Sequence, residues 1–85
     1  VDEWAKGWVG TPVKELINLA ERPRDVKFDP YYRITLKQNA YTLPNGNSVY
    51  TWEESRKRPR DCRIHFEVNR EQIIVGYRLE GTTCD

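Results

Sequence analysis

The sequence predicts an α+β fold: one N-terminal helix packed on an antiparallel sheet of about four to five strands, built as two hairpins and held by one disulfide. Three observations carry this. An apolar stripe at helical spacing occupies residues 13–20, apolar and polar residues alternate on either side of two turn signals, and an even pair of cysteines, Cys62 and Cys84, sits in the second half. The 85 residues suit a single domain spanning 1–85. A chain of this size buries only about 60% of its unfolded surface, so its stability is marginal and a covalent staple is favoured.

The helix comes first. Gly10-Thr11-Pro12 reads as its start, with the Thr11 hydroxyl capping an orphan N–H and Pro12 at the first helical position, where its missing donor had no partner. Val13, Leu16, Ile17 and Ala20 fall at i, i+3, i+4 and i+7, and Lys14, Glu15 and Asn18 take the wet side. Pro23 ends the helix near Ala20 or Glu21. Residues 22–31 are charged or proline-flanked, with only Val26 and Phe28 to dock, and read as a connecting loop or irregular extended segment.

The first strand signal is the alternation of Tyr32, Ile34 and Leu36 with Arg33, Thr35 and Lys37. Asn45-Gly46 is the strongest hairpin signal, because both residues tolerate the positive φ of a type I′ turn. A two-residue turn there pairs Tyr41 with Tyr50 and sets Leu43 and Trp52 on one face. Residues 53–61 carry dense charge and no apolar side chain, and read as a solvated loop between hairpins. Beyond it Cys62, Ile64, Phe66 and Val68 face one way and Arg63, His65 and Glu67 the other. After a turn near Asn69-Arg70-Glu71, Ile73, Val75, Tyr77 and Leu79 repeat the core-facing pattern.

Two cysteines in a small domain that needs stabilising favour a disulfide, and an oxidising compartment, over a pair of buried thiols. The bridge adds roughly 3 kcal/mol on the chain-entropy account. Simple pairing about a two-residue turn puts Leu79 opposite Cys62, so the bridge requires the tail to bend back at Gly81.

The charge balance sets no global attraction to nucleic acid or anionic membrane, since 14 Lys and Arg stand against 13 Asp and Glu for a formal +1. An apolar share of 38% with 12% aromatics is too rich for a disordered chain. The longest apolar run, Ile73-Ile74-Val75, falls far short of the roughly 20 residues that cross a bilayer. A start at Val1 without a charged-then-apolar leader reads as a processed product or a trimmed chain.

No catalytic residue, metal ligand or cofactor is expected. The single histidine, His65, reads as an ordinary exposed residue on the polar face, and one histidine with two distant cysteines falls short of a four-ligand zinc site. Glu53, Glu54 and Asp61 lie beside Arg56, Lys57, Arg58 and Arg60 and read as a self-neutralising connector; the glycines are scattered and form no phosphate loop. The basic cluster, with Arg56 and Arg58 its contact candidates near Tyr50 and Trp52, is the one arrangement suited to single-stranded nucleic acid. Its acidic neighbours offset most of that charge, so nucleic acid is not the expected partner. Trp4, Trp8, Tyr31 and Tyr32 fall in end or loop segments. They either pack over an open end of the core, the preferred reading for Trp8, or present an aromatic contact surface, for which Trp4 and Tyr31 are the better candidates.

Trp8-Val9-Gly10-x-Pro12, Leu16-Ile17, Tyr50-x-Trp52, Cys62 with Phe66-x-Val68, and Tyr77 followed by Gly81-x-x-Cys84 occur in an order that resembles small bacterial envelope lipoproteins. The chain is similar to outer-membrane-assembly accessory lipoproteins of the BamE/SmpA type. Where such proteins follow the first helix with Trp-Gly-x-Pro, this chain has Glu21-Arg22-Pro23, and it lacks their lipid-bearing cysteine. The resemblance implies a periplasmic or outer-membrane location, a helix on an antiparallel sheet and no catalytic residue. Membrane attachment would run only through a lipid anchor that this chain does not carry.

The expected function is that of a non-enzymatic cell-envelope protein that binds another envelope protein, as a lipoprotein-type accessory or assembly factor. The alternatives are a glycan- or peptidoglycan-binding module using Trp4, Trp8 or Tyr31, and a phage- or plasmid-encoded exclusion or immunity factor.

Overall fold

Two short helices precede a four-stranded antiparallel meander in the computed structural model, which describes residues 1–22, 33–55 and 61–84. The helices are α1, Asp2–Lys6, and α2, Val13–Glu21; the strands are β1, Arg33–Thr42, β2, Ser48–Ser55, β3, Arg63–Val68, and β4, Ile74–Glu80, in the order β1-β2-β3-β4. Tyr31, Tyr32, Arg56 and Arg58 lie outside the described residues, as does most of the expected connecting segment.

One helix was expected and two are present. In α1 the acidic Asp2 and Glu3 occupy the first turn and Lys6 the last, an order that complements the helix dipole. Five residues cannot sustain a helix by propensity, so its stability comes from tertiary contacts, among them the fully buried Ala5. In α2 the predicted stripe holds, with Val13 and Leu16 fully covered. Arg22 leaves the helix in extended conformation, φ −60° and ψ 135°, the region imposed on a residue preceding proline.

The α2 N-terminus is not capped by the Thr11 hydroxyl. Pro12 is the cap residue, no side chain caps the helix, and the Val13 N–H donates to the carbonyl of Gln72 at 2.8 Å. Gly10 N donates to Ile74 O at 2.7 Å, and Ile74 N to Thr11 O at 2.9 Å. The turn between β3 and β4 thus supplies, from Gln72, the acceptor that a hydroxyl was expected to provide.

Both hairpins turn through three residues. Leu43 N donates to Asn47 O and Gly46 N to Leu43 O, each at 2.8 Å; Asn69 N donates to Ile73 O and Gln72 N to Asn69 O, each at 3.0 Å. The third loop residue is left-handed in each, Gly46 at φ 88° and Gln72 at φ 66°. This corrects the two-residue turn expected at Asn45-Gly46. That turn would make Pro44 the closing strand residue, and proline has no N–H to donate, so the closing pair moves to Leu43 and Asn47.

The register moves with the turn. Leu36 pairs with Trp52, Gln38 with Tyr50 and Thr42 with Ser48, with an irregularity between Gln38 and Thr42. Tyr41 therefore does not face Tyr50. β2 also runs on to Ser55, so Glu53 and Glu54 are strand residues rather than loop. In the second hairpin a bulge separates Val68↔Ile74 from Glu67↔Gly76. The extra residue is Val75, which is exposed, while Ile74 takes the core position expected of its neighbours Ile73 and Val75. Tyr77 and Leu79 keep the inner face, opposite Phe66 and Ile64.

Eight of the nine buried residues described form one cluster drawn from every described element except β1: Ala5, Val13, Leu16, Trp52, Ile64, Phe66, Val68 and Ile74; the ninth, Val49, lies outside it. Ile34 and Leu36 of β1 pack against it half-buried. No described helix is long and apolar enough to cross a membrane.

Cys62 and Cys84 form a disulfide, with Cα atoms 5.0 Å apart, which is compatible with an oxidising compartment. The bend at Gly81 is present, at φ 129°. Asp61 holds the returning tail: its carbonyl accepts from Thr83 N at 3.1 Å, and its Oδ2 accepts from Thr82 N at 3.2 Å and Thr82 Oγ1 at 3.1 Å.

Two stability predictions follow from this closure. A Cβ at Gly81 would collide with the Asp61 carbonyl, and the left-handed φ adds strain, so Gly81→Ala is expected to lower the unfolding free energy in urea by about 2 kcal/mol or more. Both cysteines should resist alkylation until reduced, and reduction across a sequence separation of 22 should cost about 3 kcal/mol in the same titration.

Candidate functional site

The aromatic contact candidates separate by exposure. Trp4 on α1 lies 5.1 Å from Trp52, 5.9 Å from Trp8 and 6.4 Å from Phe66 between ring centroids, with tilted or edge-on geometry throughout. Trp8 is half-buried against the core, the packing role preferred for it, whereas Trp4 is 40% exposed on an aromatic base. Val1, Trp4, Trp52, Glu54, Cys62 and Ile64 line a cleft of about 260 Å³ beside the disulfide. Its walls are apolar apart from Glu54, whose Oε1 accepts a long hydrogen bond of 3.4 Å from Trp52 Nε1. Periodicity could not reveal α1, which is too short for an amphipathic stripe; its one sequence signal was the acidic-to-basic order of Asp2, Glu3 and Lys6.

The register assembles a second, polar surface on the opposite face of the sheet. One row across the strands reads Lys37, Thr51, His65, Arg78, and the next reads Thr35, Glu53, Arg63, Glu80. His65 was expected to be exposed, yet its side chain is only 12% accessible. Its Nδ1 lies 2.8 Å from Thr51 Oγ1 and its Nε2 lies 2.9 Å from Glu80 Oε1. Thr51 Oγ1 also approaches Asn39 Oδ1 at 3.3 Å. The hydroxyl has one proton to give. With neutral imidazole Thr51 donates to Nδ1; with imidazolium Nδ1 donates to Thr51, which then donates to Asn39.

Hydroxyl, imidazole and carboxylate in line have the ingredients of a nucleophilic triad, but the setting is a flat ladder. β2 and β3 pair on both sides, so their backbone N–H groups are engaged in the sheet. The chain of contacts acts to fix the imidazole between neighbouring strands. Among the described residues no three His, Cys, Asp or Glu side chains converge on a metal-holding position.

Glu80 anchors this network. Hydrogen bonds from His65 and then Arg63, together with the Arg63 charge, hold its carboxyl below the ordinary glutamate range. The hydrogen bond to Glu80 in turn raises the Arg63 guanidinium, which also faces Asp61 at 3.6 Å and Glu53 at 4.0 Å. On the other face of the sheet Tyr77 donates to Asp2 Oδ1 at 2.6 Å, tethering α1 to β4, and this bond raises the phenol above its usual value.

No protein-family model matches the chain, and comparison with curated proteins and with solved structures finds no significant match.

The lowered Glu80 carboxyl has a definite sign. Its contribution is fully present above the unfolded glutamate pKa of about 4.3 and is lost as pH falls through the lower folded value. Glu80→Gln should therefore flatten the acid limb of a stability–pH profile below about pH 4.3 and leave the neutral-to-alkaline limb unchanged. The raised Tyr77 phenol acts oppositely, present below the unfolded value and lost as pH rises through the folded one, so Tyr77→Phe should alter only the alkaline limb.

Proposed function

We propose that this chain is a non-enzymatic protein-binding domain of the bacterial cell envelope, facing the periplasm, and that it serves as an accessory or assembly factor of the lipoprotein type. The observation that carries the reading is Trp4: a large aromatic left 40% exposed on a rigid base of Trp52, Trp8 and Phe66, at the mouth of an apolar cleft. Binding energy concentrates in such residues, because a preordered ring buries a large area at little entropic cost. In this reading both helices cover the inner face of the sheet, and α1 presents Trp4 from its middle turn. The disulfide beside the cleft supports an oxidising location, and the motif order supports the envelope.

A glycan-binding reading draws on the same exposed ring, with Glu54 at the cleft to accept sugar hydroxyls. Two measurements separate them. The immobilised chain should retain an envelope protein at physiological salt, and Trp4→Ala should weaken that retention by about 2 kcal/mol, roughly 30-fold in Kd. Tryptophan fluorescence should not change on adding muropeptides. Failure to retain any protein, with a saturable fluorescence change instead, would transfer the assignment to glycan.

A further inference from the structure

The two edges of the sheet differ. β4 is occupied at its start by residues 10–12, through the Gly10–Ile74 and Ile74–Thr11 backbone hydrogen bonds, and α1 is tied to it by the Tyr77–Asp2 contact. β1 is the other terminal strand, and among the described residues nothing pairs with its outer side. It is also the longest strand, at 10 residues, and residues 33–38 are in unbroken register with β2. Its sequence, RITLKQNAYT, contains Arg33 and Lys37 and no carboxylate. Lys37 is exposed and makes no ion pair among the described residues, in contrast to Arg63, which faces three carboxylates.

We propose that the free edge of β1 is the docking site for an extended, acidic segment of a partner protein, which adds to the sheet as a fifth full strand. This rests on reading the chain as a protein-binding domain and specifies the chemistry of what it binds. The sheet dictates the pattern. On the inner face, Leu36 begins the row Leu36, Trp52, Ile64, Leu79, and Ile34 lies half-buried two residues away, so an added strand extends the apolar face only with apolar residues there. On the outer face, the row Lys37, Thr51, His65, Arg78 starts at Lys37, which makes no ion pair among the described residues, and the residue set opposite Lys37 is stable as Asp or Glu. The fitting segment is thus about five or six residues long and alternates apolar with acidic side chains.

Charge also selects against the commonest competitor. Two copies of β1 pairing antiparallel would bring the Lys37 side chain of each against a strand that carries cations and no carboxylate. An edge lysine guards a strand against self-association, and the same charge admits an acidic strand.

The test uses the whole chain and a capped peptide of about six residues alternating valine with glutamate, beside a valine–lysine peptide and a tri-uronate oligosaccharide. NMR should show the glutamate peptide shifting residues 33–38 and slowing hydrogen exchange at alternate β1 amides, a signature of backbone pairing that side-chain contact does not give. Lys37→Glu, at an exposed position that leaves the fold intact by circular dichroism, should weaken the glutamate peptide about tenfold and admit the lysine peptide. No shift in β1, equal glutamate-peptide binding by Lys37→Glu, or dimerisation through β1 would overturn the proposal. Uronate perturbing β1 without amide protection, where the peptide does not, would overturn it in favour of a carboxylated sugar. The envelope retention assay keeps the two claims apart: a partner held equally by wild type and Lys37→Glu but lost in Trp4→Ala defeats this proposal alone, whereas no retained partner defeats the protein-binding reading.

Discussion

Three backbone hydrogen bonds, Gly10 to Ile74, Ile74 to Thr11 and Val13 to Gln72, join the helical segment to the sheet. They set where α2 begins, satisfy one of its orphan donors and place Ile74 in the core beside Val13 and Leu16. Ala5 of α1 belongs to the same buried cluster, and the Trp4 ring lies 5.1 Å from that of Trp52. Ile74 depends on the bulge at Val75, because without that extra residue the parity of β4 would turn either Ile74 or Tyr77 and Leu79 outward. A single inserted residue thus reconciles the helix junction with the far end of the strand, where Glu80 meets His65 and Arg63.

The far end has its own constraint. β4 ends beside the start of β3, and the tail must reverse within a few residues to bring Cys84 to Cys62. Gly81 makes the reversal because the Asp61 carbonyl occupies the space a side chain would need, and Asp61 then supplies three acceptor contacts to the returning residues. Closure, cleft and polar network are neighbours as a result: Cys62 lines the cleft with Trp4, and Asp61 faces Arg63 on the other side of the sheet.

The two faces serve different purposes. On the outer face Arg63 faces Asp61, Glu53 and Glu80, and Lys37 at the edge makes no ion pair among the described residues. The inner face spends its aromatic side chains on the core and leaves Trp4 accessible. Protein binding at Trp4 and strand addition at β1 would therefore use surfaces that the fold has not already consumed.

What the sequence by itself determined was everything that follows from local pattern: the α2 stripe, the alternation of Ile64, Phe66 and Val68, the existence of both hairpins, the Cys62–Cys84 pairing and the need for a bend at Gly81. These are legible because periodicity, turn chemistry and cysteine count act over a few residues or follow from chain size. Tertiary structure decided the registers, the bulge at Val75, the backbone acceptor that replaced a Thr11 cap, the short helix carrying Trp4, and the covering of His65. The replaced Thr11 cap, the place of the short helix and the covering of His65 depend on partners distant in sequence, whereas the two turns rest on residues within them. Pro44 shifted the first hairpin by withholding a donor, Gln72 accepted a left-handed φ to close the second, and His65 is covered only because Thr51 and Glu80 arrive from neighbouring strands. A one-residue change of register alters every cross-strand neighbour at once, which is why the composition of each face was readable and the rows that build its surfaces were not.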